Sequence, residues 1–198
     1  MADQEQENDK KFPVSKTKSI KGSRHLAREK VLQVIAATVE GEVSLDDVFP
    51  HVFYRQFTFE PEGLADDSGR ILRPDEVFEL EADVPIEWSK DDVEYAVRVV
   101  EAVRNNRDRT RELIDKHSKN WDVERIALLD RVLIQLAIGE LVACMDIPVK
   151  VTINEVIELA KRYSTDKSGI FINGMLDAIT ADLKNEGLVR KTGRGLIE

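Results

Sequence analysis

The stretch "STDKSGIFINGMLDAI", Ser164 to Ile179, combines a small polar run, two glycines and Asn173. It is where a phosphate cradle would first be sought. Such a cradle needs bare backbone amides, the Gly-x-x-x-x-Gly-Lys-Ser/Thr spacing and a strand before it. Here bulky Ile170, Phe171 and Ile172 stand between Gly169 and Gly174, and no strand period precedes them. The stretch reads instead as a helix start capped by Thr165 or Ser168, with Phe171, Ile172, Met175, Leu176 and Ile179 on its core face. Gly174 inside that helix costs about 1 kcal/mol relative to Ala, which predicts a close helix–helix approach at that point. Asn173 has no packing role and could project to a partner.

Catalytic chemistry finds little support elsewhere. His25, His51 and His117 lie far apart, and none has a ligand at metal-binding spacing, so no metal is expected. Carboxylates abound in a chain with 38 acids, but no pair stands out as general acid and base. No Ser, Cys or Thr occupies a nucleophile elbow. The single Cys144 lies in an apolar stretch and reads as a buried reduced thiol. No cofactor is implied and an enzyme is not expected.

Charge is more informative. The net charge is −9, but it is unevenly spread. Asp3, Glu5, Glu7 and Asp9 give the first nine residues −4; residues 10–30 then carry eight bases against Glu29, or +7. An acidic body with a basic N-terminal arm can draw phosphates to the arm while the body resists non-specific nucleic-acid binding. No long apolar run suggests a leader or a membrane span, so a cytoplasmic protein is expected.

The elements that would position these residues are helical. Residues 1–22 read as a disordered basic arm, 23–184 as a helical domain, and 185–198 as a polar tail. Ser23 caps a first helix to about Glu40. Residues 41–88 are acidic and irregular, with a short helix interrupted by Pro50 and another opened by Pro74. "SKDD" at Ser89 resembles a capping box, and Asn105-Asn106 separates two further helices. Asp122 would cap a nearly central helix from Val123 to about Cys144, apolar on most sides. "TINE", from Thr152, reads as the capping box of the next helix. With no β-period run of useful length, the chain is expected to be all-α, of about seven helices with short links.

"NWDVERIALLDRVLIQLAIGEL" and "DIPVKVTINEVIELAKRYSTDKSGIFINGMLDAI" closely resemble the NusB transcription-antitermination family, strongly over about residues 105–182. "RHLAREKVLQ" resembles the family's first helix, while 41–90 does not match and looks like an enlarged insertion. The resemblance implies two small helix bundles packed across each other. It also implies a factor that is not an enzyme. With ribosomal protein NusE it would bind boxA RNA of nascent rRNA transcripts, as part of the RNA polymerase antitermination complex. Monomers and homodimers are both compatible with it. An alternative is an interaction scaffold of the same fold with little RNA binding of its own.

The resemblance, with the charge pattern, implies RNA contacts at Lys16, Lys18, Lys21, Arg24, His25, Arg28, His117, Lys119, Phe171 and Asn173. It implies a protein-partner face at Asp130, Arg131 and Gln135, while Trp121 reads as core. Three positions depart from the family pattern: Ala36 where an aromatic is common, Gly139 where Tyr often stands, and Ile170 where Lys often stands. Each is expected to remove a stacking plane or a cation and so to weaken RNA binding. At Ile170 the segment is expected to have shifted from touching RNA to packing.

Overall fold

The computed structural model describes residues 20–40, 43–54, 86–118 and 126–189. Among them are seven helices: α1 (Arg24–Glu40), α2 (Leu45–Tyr54), α3 (Lys90–Asn105), α4 (Arg107–His117), α5 (Leu128–Ala143), α6 (Val149–Tyr163) and α7 (Ser168–Asn185). The all-α expectation holds, with one small addition. Ile20–Lys21 (β1) pairs in parallel with Ile86–Glu87 (β2), Ile20 opposite Ile86. Gly22 N extends the pairing by donating to Glu87 O at 2.8 Å. A Cβ on Gly22 would stand 2.7 Å from the Trp88 ring, so glycine lets the two chain segments meet there. This clasp sets the start of α1 beside the start of α3.

α5 is the hub. It packs on α3 and α1 on one side and on α6 and α7 on the other, while α4 docks on α7. Val132, Leu133, Ile134, Leu136, Ala137, Ile138 and Leu141 are all buried, which is why its sequence is apolar nearly all round. Its start differs from expectation. The helix opens at Leu128 after Ala127, which offers no side-chain cap; Asp122 and Trp121 lie outside the described residues.

Several local expectations need correction. Pro50 does not interrupt α2 but sits inside it. α6 begins at Val149 after Pro148, so Thr152 is interior and buried, and "TINE" caps nothing. Neither Thr165 nor Ser168 caps α7, whose flanking Lys167 makes no side-chain cap bond. The Ser89 cap does form: its Oγ accepts from Asp92 N at 3.2 Å and donates to the Asp92 carboxylate at 2.6 Å.

The glycines exchange roles. A Cβ on Gly174 would meet nothing within 4 Å, so no helix approaches it. A Cβ on Gly139 would fall 2.5 Å from Val103 Cγ2 and 3.1 Å from Val99 O. The close approach is therefore between α3 and α5, at Gly139. A tyrosine could not occupy that position in this packing, so Gly139 marks a repacked helix contact and not a lost stacking plane on the surface. Ala36 likewise packs against the core.

Candidate nucleic-acid interface

The first turn of α1 carries the cations expected to meet RNA, and the fold separates them. Arg24 and His25 keep 35% and 45% of their side chains exposed, whereas Arg28 keeps 4%. Residues 24 and 28 are one helical turn apart and share a face. That face lies against α3: the Arg24 guanidinium sits 4.4 Å from the Tyr95 ring centroid and that of Arg28 5.5 Å. Cations over an aromatic face are attracted by its quadrupole.

Arg28 continues inward to Glu140, which is fully buried in α5. Its Nε donates to Glu140 Oε2 at 2.7 Å and its Nη2 to Oε1 at 3.0 Å, a forked pair. The Tyr95 hydroxyl donates to the same carboxylate, and so does Thr152 Oγ1, at 2.8 Å. Burial opposes the charge on Arg28, but its bond to Glu140 and the surrounding negative charge outweigh this and hold its pKa above the usual value. Burial, then the adjacent Glu140, pushes the Tyr95 phenol well up, so it stays a donor. Arg28 is thus not presented to solvent; it clamps α1 to α3, α5 and α6.

The clamp fixes the exposed pair. Arg28 Nη1 lies 3.3 Å from Glu155 Oε2, and His25 Nδ1 lies 2.8 Å from the same oxygen. Arg24 donates to Asp91 O at 3.1 Å and stands 3.8 Å from Asp92. The Arg24 guanidinium and the His25 imidazole, both facing solvent, are held in place by acids or carbonyls that a phosphate could replace. Lys21 is exposed on β1. Lys16, Lys18 and Lys119 lie outside the described residues.

A second exposed surface opens α7. Arg162 at the end of α6 donates to Glu29 of α1 at 3.0 Å, so the turn into α7 leaves from beside α1. Lys167, Ile170, Asn173, Gly174 and Asp177 are exposed. Ile170 is 81% exposed, which overturns the expectation that it packs. Asn173 is exposed and donates to Asp177 at 3.2 Å. Phe171 is half-buried and packs against the core.

The expected protein-partner trio divides in the same way. Asp130 is buried, and its carboxylate accepts from Ser164 Oγ at 2.6 Å and Ser168 Oγ at 2.9 Å. It fastens the α6–α7 turn to α5 and is not a free surface acid. Arg131 and Gln135 are half-exposed on the adjoining face. His117 is half-buried, with Nε2 2.8 Å from Asp182, which Lys116 also pairs. Those two bonds hold the Asp182 carboxyl below its ordinary range.

The Tyr95–Glu140–Thr152 cluster went unread in the sequence. Its one local signal was Glu140, an acid in the last turn of an apolar helix. Among the described residues no group of His, Cys, Asp and Glu could hold a metal ion, and no helix is long and apolar enough to cross a membrane.

An all-helical bundle with a locked interior and cations on its open edges has the form of a binding protein. The chain belongs to the NusB family, whose profile matches residues 63–181. It is 42% identical over 114 residues to the transcription antitermination protein NusB of Salinibacter ruber, covering 58% of this chain and 71% of that one. Against the namesake in Chloroherpeton thalassium it is 51% identical over 85 residues, 43% of this chain and 40% of that one. Among solved structures, T. maritima NusB superposes with a TM-score of 0.60 at 26% identity, over 82% of this chain and 94% of the other. NusB from a complex of antitermination factors NusB and NusE with dsRNA superposes at 0.57 and 21% identity, over 80% and 96%, which speaks for the fold.

Proposed function

We propose that this chain is a transcription antitermination factor that, with ribosomal protein NusE, binds boxA-type single-stranded RNA of nascent rRNA transcripts. In this role it joins the RNA polymerase antitermination complex, acts in the cytoplasm and performs no catalysis. The observation that carries the reading is family membership, with relatives named as antitermination proteins. The geometry supports it: Arg24 supplies an exposed cation, His25 an exposed imidazole and Asn173 an exposed amide, groups that can meet phosphates and base edges. A second reading, a protein-interaction scaffold, draws support from Ile170, a fully presented hydrophobe on the same surface.

Titration of labelled boxA RNA with the protein alone and with NusE, at two salt concentrations, separates them. The RNA-binding reading expects binding that tightens with NusE and weakens with salt. Absence of binding at low salt in both arms, with NusE still captured, would leave only the scaffold.

A further inference from the structure

One charged surface is used by none of the above. Residues 98–111 carry five arginines against Glu101 and Asp108, a charge of +3 in a chain of −9. Their neighbours on α3 and α4 are paired: Lys90 with Glu94, Arg109 with Glu112 and Glu186, Lys116 with Asp182. Arg104, Arg107 and Arg111 are exposed, and among the described residues no ion pair or hydrogen bond engages their side chains. Arg104 lies in the last turn of α3, Arg107 begins α4, and Arg111 lies one turn further on the same side as Arg107.

Two costs attach to this arrangement, and among the described residues neither Asp108 nor Asp115, which stand at helical spacing, forms an ion pair with these arginines. Arg107 and Arg111 are like charges at i and i+4, and both stand in the first half of a helix, whose N-terminal end repels cations. An anionic occupant would relieve both costs. Arginine forks fit phosphate oxygens. The elbow also lies far from the exposed side chains of α1: Arg24 touches Asp91 in the first turn of α3, and Arg104 lies 13 residues further along, roughly 20 Å at helical rise.

We infer that the α3–α4 elbow, through Arg104, Arg107 and Arg111, binds the phosphate backbone of RNA flanking the specifically recognised element, without reading its sequence. The inference rests on the RNA-binding reading above. It extends the contact path so that a transcript held at α1 and α7 is gripped again at a distant point.

The test compares a minimal boxA RNA with the same RNA extended at either end by a uridine tract, using the full chain with NusE. Arg104→Gln/Arg107→Gln/Arg111→Gln is set against a charge-matched control outside this stretch, Lys90→Gln/Lys150→Gln/Lys161→Gln. The elbow variant should bind minimal RNA like wild type but lose roughly 10- to 100-fold on extended RNA at about 0.1 M salt, with a salt slope shallower by about 2. The inference is overturned if extension adds nothing for wild type, if the elbow variant matches wild type on extended RNA, or if the control loses as much. Loss of NusE capture with RNA affinity intact would make the elbow a protein surface and overturn it too. Failure of wild type to bind even minimal RNA would instead bring down the reading on which it rests.

Discussion

Replacing Glu140 with Ala would remove the acceptor on which three donors converge. Arg28, 3% exposed, would keep its charge and lose both arms of its fork. The Tyr95 and Thr152 hydroxyls would lose their acceptor in a dry interior. Breaking a buried pair from one side costs about 3–5 kcal/mol, and each stranded hydroxyl adds about 1–3 kcal/mol unless water enters. The expected loss is therefore at least about 5 kcal/mol in a dry interior, or about 3 kcal/mol if water enters, a large part of the roughly 5–15 kcal/mol that a domain possesses. Urea unfolding followed by circular dichroism would measure it. The companion Arg28→Met/Glu140→Gln removes both charges together and should be less destabilising than the sum of its singles, with a coupling above about 2 kcal/mol. A Glu140→Ala variant within about 1 kcal/mol of wild type, or additive singles, would refute the clamp.

Three further outcomes follow from the packing and the surface. Gly139→Ala should cost about 1–3 kcal/mol through the clash with Val103 and Val99, whereas Gly174→Ala, facing open space, should gain about 0.5–1 kcal/mol; urea midpoints decide both. The lowered pKa of Asp182 means its contribution is present above the ordinary carboxylate range and is lost as pH falls through the folded value. The stability gap between wild type and Asp182→Asn should accordingly shrink as unfolding is measured from neutral pH toward pH values near about 3. Ile170→Lys, at an 81% exposed position, should leave stability unchanged and raise affinity for boxA RNA several-fold, read by fluorescence anisotropy.

What the sequence made legible follows physical range. The apolar girth of α5 announced a central helix because burial on all sides requires it. Its start did not show, because Ile126 is buried just outside the helix and so continues the apolar pattern. "TINE" has the letters of a capping box, but Pro148, already in place as the residue before α6, makes Thr152 interior and turns its hydroxyl to Glu140. Local pattern could not tell which glycine faces a neighbour, since that depends on α3 meeting α5. Arg24 and Arg28 look alike in sequence, and only a partner 112 residues away takes one of them inside. The same holds for Asp130, whose serine partners come from the α6–α7 turn. The family resemblance, carried by the segments that build α5 to α7, was legible because those segments hold the core.

The most direct test of the account is a map of where RNA touches the protein. Backbone amide chemical shifts of the isotopically labelled chain with NusE should move on adding boxA RNA at Arg24, His25 and across 167–174, while Glu140 and Tyr95 stay put. Shifts confined to other surfaces, or none at saturating RNA, would contradict it.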